Sequence, residues 1–193
     1  TMTASSRIDW DFCTVGCIVN DTLNDFVSTT IHEVLHGLGF FTSFDPVLDD
    51  NGAQTGDGMF SDPPAIMDDY VIRLSDSSKL IDLPTNSTPL WNAMQQGSGT
   101  IGFNGPNTLA INGSMPLIYT PNPHSQGSSM SHWDDDAPSS LGRMMTSATG
   151  AGPSSRVVDA ITLMTLKDIG WSVNEAGDHG DAALNAYGDA WHI

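Results

Sequence analysis

The sequence predicts an α+β fold in one main domain, and three observations carry that prediction. Two segments of the 193-residue chain, 20–39 and 154–171, have apolar residues at helical spacing. Between them lie short runs rich in β-branched and aromatic residues, each bounded by turn formers. Nineteen Gly and eleven Pro keep these elements short and joined by loops. At 39 % hydrophobic residues, a chain of this length can bury a sizeable core.

Taken in order, "SRIDWDF" (6–12) alternates and places Ile8, Trp10 and Phe12 on one face of a short strand. "NDTLNDFVSTTIHEVLHGLG" (20–39) reads as a helix that starts near Asp21–Asn24, good N-caps, and stops at Gly37 or Gly39. Val27, Ile31, Val34, Leu35 and Leu38 form its core-facing stripe, with His32 and His36 one turn apart on the flank. Residues 42–70, rich in Asp, Gly and Pro, predict loop. "YVIRL" (70–74) predicts a strand and "TPLWNAMQQG" (88–97) a short helix. "GTIGFNG" (99–105), "TLAING" (108–113) and "PLIYTP" (116–121) predict short strands, and 122–140 is irregular. The second helix, 154–171, is expected to be capped at Ser154 or Ser155, to carry Lys167 in its last turn and to end at Gly170. The division expected is a domain over 1–171 followed by a polar, acidic tail over 172–193.

The charge balance narrows function. Six Lys and Arg stand against 23 Asp and Glu, for a net charge of −17. Nucleic acid and anionic membrane surfaces would be repelled. No apolar run is long enough to span a bilayer. Only Glu33 and Glu175 are Glu; the other acids are Asp, a residue of turns, caps and hard-cation sites. Cys13 and Cys17, in "CTVGC", could close a small disulfide or remain a pair of thiols. Sequons at Asn20, Asn86 and Asn112 fit export, so a secreted, extracellular glycoprotein is the expectation.

The chemistry begins at "HEVLH" (32–36). Two histidines at i and i+4 on a helix can aim an imidazole nitrogen each at one ion. Glu33, about 100° round the helix from His32, reaches a water on that ion without being a ligand. Zinc lowers the pKa of such a water to roughly 7, and the Glu takes its proton during attack on a polarised carbonyl. The competing reading is a coincidental pattern on a surface helix, against which stand the amphipathic context and the glycine-rich exit.

Two ligands leave a catalytic zinc one short. In a compact class of such enzymes a third histidine follows Gly39 by three positions, where this chain has Thr42. A later Glu is available only at Glu175, and "GTIG" (99–102) lacks the Asp of another class. His179 and His192 fall in the tail, which leaves His124 and His132 in the irregular segment.

The motifs "HEVLHGLGF" (32–40), "SHWD" (131–134), "RMMT" (143–146) and "TLMTLKDIGW" (162–171) occur in an order that resembles the leishmanolysin-like branch of the metzincin peptidases. There an insertion separates the helix motif from a distant third histidine, and a Met-containing turn and a terminal helix follow. The resemblance spans about 8–171 and implies a zincin-like catalytic domain with one catalytic Zn2+ held by His32, His36 and His132. It implies Glu33 as general base and Met145, or Met144 with the turn offset by one, as the Met-turn. Gly39 lets the chain leave the helix sharply. Trp133 is expected in the core. The substrates implied are proteins or peptides. Metzincins also have an upper subdomain whose edge strand aligns the substrate. Only 31 residues precede His32, so that subdomain is expected to be largely absent, with the N-terminal part of a precursor as a candidate partner chain.

Two other functional classes stay open at this point. One is a non-catalytic interaction module on the same scaffold, and the other is a zinc hydrolase of a non-peptide bond. For His124, a hydrogen-bonded loop residue is the expectation, with a role beside the metal or substrate as the alternative. The Asp-rich stretches 45–69 and 134–136 could take Ca2+, but read first as solvated acidic loops.

Overall fold

Helix α1 (Phe26–Gly37) begins beyond the predicted Asp21–Asn24 window, because Asp25 caps it. The Asp25 carboxylate accepts the amides of Val27 at 3.0 Å and Ser28 at 3.4 Å. A cap of this kind stabilises a helix by about 1 kcal/mol. Asn24 is used instead in a short strand: β2 (Asn24–Asp25) pairs in parallel with β1 (Trp10–Asp11). The computed structural model describes residues 8–14, 17–136, 143–148 and 150–173. The expected tail therefore lies outside the described residues from position 174 onward, as do Glu175, His179 and His192.

The strand at the N-terminal end is shorter than 6–12 predicts. The Asp11 carboxylate accepts the amides of Cys13 and Asn20, both at 2.7 Å, which turns the chain at once. Ile8 and Phe12 are exposed. Cys13 and Cys17 form a disulfide, with their Cα atoms 5.8 Å apart.

Four elements differ from the sequence expectation, each for a local reason. The supposed loop 42–70 contains an antiparallel hairpin, β3 (Asp45–Leu48) and β4 (Gln54–Met59). Its strands are too polar to announce themselves. Its turn is built by Asp49, whose carboxylate accepts the amides of Asn51 and Ala53 at 2.9 and 2.8 Å. A 3₁₀ turn over Ile66–Tyr70 then leads into β5 (Val71–Arg73). Helix α2 (Thr88–Met94) follows a second 3₁₀ turn at Leu80–Asp82. After β6 (Ile101–Phe103), "TLAING" is helical rather than extended and forms α3 (Pro106–Asn112). Pro106 is pre-set for a first helical turn, and Asp168 caps that turn from a distant part of the chain. The last helix, α4 (Ala160–Asp168), starts after 154–159 because Asp159, not a serine, supplies the cap.

The predicted α1 stripe is also narrower than drawn. Leu35 is 3 % exposed, but Val34 is 50 % exposed. The core gathers instead around Phe40, Phe44, Leu90, Phe103, Trp133 and Met145.

One feature positions the site. β5 and β6 pair antiparallel, and single-residue bridges extend that ladder from Gly102 to Leu117, from Ile118 to Trp133, and from Trp133 to Thr146. "PLIYTP" and the nominally irregular "SHWD" are therefore extended segments of one layer. Trp133 is fully buried, with its ring 5.0 Å from Phe40 and 6.1 Å from Phe103. That anchor fixes the residue beside it, His132.

Candidate metal centre

His32 and His36 project from α1 one turn apart, and His132 arrives from the Trp133 ladder. Their Nε2 atoms form a nearly equilateral triangle: 3.1 Å between His32 and His132, 3.1 Å between His36 and His32, and 3.2 Å between His36 and His132. His32 and His132 are buried and His36 is half-buried.

The opposite ring nitrogens settle the tautomers. Nδ1 of His32 lies 2.9 Å from the Met144 carbonyl, Nδ1 of His36 2.7 Å from Phe40 O, and Nδ1 of His132 2.7 Å from Ser128 O. A carbonyl only accepts, so each Nδ1 carries the N–H and each Nε2 presents a lone pair. Three lone pairs facing one another at this range share no proton and repel. A cation resolves this. Nitrogen ligands on a tetrahedral zinc, at about 2.0–2.1 Å from the ion, lie roughly 3.3 Å from one another, close to the triangle seen here. The three histidines thus sit close enough to hold a metal ion, in a way compatible with zinc.

Protonation does not compete well for this site. Burial pushes the His132 imidazole down to about 4, with smaller contributions from the other two histidines, against a raising effect of its bond to Ser128. Burial also lowers His36. Both shifts favour the neutral ring, the form that binds metal.

The triangle opens into a cleft of about 250 Å³ lined by Thr29, His32, Glu33, His36, Gly127, Ser128, His132, Thr146 and Ser147. Glu33 is exposed and, among the described residues, is the single charged residue of the lining. Apart from the three histidines, the other described lining residues are small: Thr29, Gly127, Ser128, Thr146 and Ser147. Ser147 is held from behind by the Asp135 carboxylate, which accepts both its amide and its hydroxyl.

Gly39 takes φ +102°, which strains any L side chain, and a Cβ there would also crowd the Ile169 side chain at 3.2 Å, so the turn out of α1 favours glycine. In the segment read as a Met-turn, Met145 is fully buried and its carbonyl accepts the Trp133 amide at 2.7 Å, while Met144 supplies the carbonyl that orients His32. The carbonyls of Met144, Phe40 and Ser128 were not foreseeable from sequence, because a main-chain acceptor leaves no mark in residue identity.

His124 is not part of this centre. Its ring lies 5.3 Å from that of Trp91, and both of its nitrogens are buried without a hydrogen-bond partner among the described residues. The expected hydrogen-bonded loop histidine is corrected on that point: the ring is held by packing. Among the described residues the histidine trio is the only group of three or more such side chains close enough to hold one ion, and the acidic stretches contribute none to it. Several of their carboxylates accept from backbone amides and from Ser and Thr hydroxyls. Asp57 accepts from Thr88, Asp68 from Ser43 and Ala65, and Asp134 from Ser98 and Gly99. Of the sequon asparagines, Asn20 and Asn86 are exposed. Asn112 is half-buried, donates to Ser114 O and accepts from Arg143.

No protein-family model, curated protein or solved structure matches this chain. Among the described residues, no helix is long and apolar enough to cross a membrane.

Proposed function

We propose that this chain is a secreted zinc-dependent endopeptidase with a zincin-like fold, of the leishmanolysin-like metzincin kind. The observation that carries this reading is the convergence of three Nε2 lone pairs beside one carboxylate, Glu33, in an open cleft. The order of the motifs, from α1 through Gly39, "SHWD" and "RMMT" to α4, supports it.

His32, His36 and His132 would hold the ion. When bound, zinc supplies Lewis acidity that polarises a carbonyl and acidifies water. Glu33 takes a proton from the attacking water and returns it to the leaving amine nitrogen. The backbone carbonyls at Met144, Phe40 and Ser128 keep the three rings aimed while this happens. The small polar lining leaves room for a polypeptide to lie across the cleft.

Hydrolysis of a generic protein substrate should stop on chelation and return with zinc. Glu33→Gln should keep its zinc and lose about 10²–10⁴-fold in rate. Activity indifferent to chelators sinks the reading. A chain that binds zinc but cleaves neither peptides nor esters is the interaction module instead, and one that cleaves esters alone is the non-peptide hydrolase.

A further inference from the structure

We propose that Thr42, the residue standing where a compact motif would carry its third histidine, is the positioning residue for His132. This rests on the metal-binding half of the function proposed above and adds a device that the ligand set alone does not contain.

Thr42 is buried at 7 % exposure and makes two bonds across the insertion. Its amide donates to Ser131 Oγ at 3.1 Å, across 89 positions of sequence. Its hydroxyl donates to the Met130 carbonyl at 3.3 Å, across 88. Both partners immediately precede His132. Met130 is fully buried and sits at φ +68°, a left-handed conformation that a non-glycine residue holds only where its surroundings over-determine it. On its other side Met130 donates to the Tyr119 carbonyl at 2.8 Å. The approach to His132 is thus gripped from the extended segment that carries Tyr119 and from the exit of α1.

That exit serves two of the three ligands. The carbonyl of Phe40 orients His36, and Thr42, two residues on, fastens the segment that delivers His132. Closing a long insertion costs little more than closing a short one, since the entropy grows only with the logarithm of length. Loop closure alone, however, does not set position to the few tenths of an ångström that a ligand triangle requires. The clasp at Thr42 references His132 directly to the helix that carries the other two histidines.

The test is zinc affinity by chelator competition, together with the visible absorption spectrum of the Co2+-loaded chain. Thr42→Val keeps the shape and removes the hydroxyl bond; it should weaken zinc by about 10–100-fold and alter the Co2+ spectrum. Thr42→Ser should restore both. Equal affinity of Thr42→Val and wild type overturns the assignment, and so does a Thr42→Ser as weak as Thr42→Val, which would make the contribution one of packing. Should Thr42→Val fail to fold, Ser131→Ala decides: it removes the acceptor of the Thr42 amide, and unchanged zinc affinity there overturns the clasp. A wild-type chain that binds no zinc overturns the clasp and the peptidase reading together. A chain that binds zinc and cleaves nothing overturns the peptidase reading only.

Discussion

The metal centre is assembled from two unlike regions. α1 delivers His32 and His36 by local geometry: four residues apart on one helix, they share a face with ring centroids 4.7 Å apart, and only the final aim of the rings depends on the carbonyls of Met144 and Phe40. The segment 128–134 delivers His132 from 96 positions after His36, with no helix or long strand beneath it. What holds it is a series of single contacts: Ser128 O on the ring, Tyr119 N on the His132 carbonyl, and the buried Trp133 next door. The difference teaches where specificity is stored. Any amphipathic helix can offer a histidine pair, whereas the third ligand exists only once the tertiary ladder has formed. Metal binding should therefore report on formation of the bridges that join Leu117, Ile118, Trp133 and Thr146 more than on α1.

The comparison breaks most visibly at the third ligand. His132→Ala leaves α1 intact, yet should weaken zinc by more than the roughly 100-fold that loss of a supporting contact costs. Its far-ultraviolet circular dichroism should match wild type. His36→Ala should lose a comparable amount of zinc. If His124→Ala instead abolishes binding while His132→Ala retains it, the assignment of the distal ligand is wrong.

A second way to sharpen the contrast is pH, read on the metal-free chain. The folded His132 imidazole sits at about 4, well below the ordinary 6.5, because burial disfavours its charged form. Its contribution to stability is therefore complete above pH 6.5, where it is neutral folded or unfolded. As pH falls from 6.5 towards 4 the unfolded chain takes up the proton first, and stability drops by on the order of 3 kcal/mol. His36, also lowered by burial, acts in the same direction. Chemical denaturation at pH 7 and pH 4.5 should show this loss, and His132→Ala should shrink it. A slope unchanged by that substitution would place the titration elsewhere.

The same asymmetry explains what could be read in advance. α1, its histidine pair, the Gly39 exit and the buried Trp133 are legible because each rests on local spacing or on bulk. "TLAING" reads as a strand although it forms α3, because the cap of that helix is Asp168, 61 residues from the Asn107 amide it accepts. The β3–β4 hairpin is not legible in the sequence because polar strands such as "QTGDGM" show no alternation of burial-prone residues. His132 could be singled out only through the resemblance of the motif order, since nothing in "SSMSHWDDDAP" marks a histidine as convergent with a helix so far away. The carbonyls that fix all three tautomers were beyond reach altogether.

The smallest effect tests the α1 side alone. Asp25 does two jobs: it caps α1 and receives Arg156, whose Nε lies 2.7 Å and Nη2 2.9 Å from its carboxylate oxygens. Arg156 also donates to the carbonyls of Cys13 and Thr14, so the cap, the disulfide region and the approach to α4 meet at one guanidinium. Burial works to raise the Asp25 carboxyl, but its bonds to Arg156, Ser28 and Val27 outweigh this and hold it below the usual range. Asp25→Asn keeps an acceptor for the Val27 and Ser28 amides and weakens only the ion pair. Arg156 is a quarter exposed, so that pair is partly screened and its weakening should cost under about 1 kcal/mol. Asp25→Ala removes the cap as well and should cost about 1–2 kcal/mol. Measured by urea denaturation, the order Ala worse than Asn identifies capping as the larger share. Zinc affinity should move little in either variant, because the frayed end of α1 lies before His32 and the histidine pair keeps its spacing. A loss of zinc as large as that of Thr42→Val would show instead that α1 needs its cap to present two ligands, and that the local half of the centre is no more self-sufficient than the distant half.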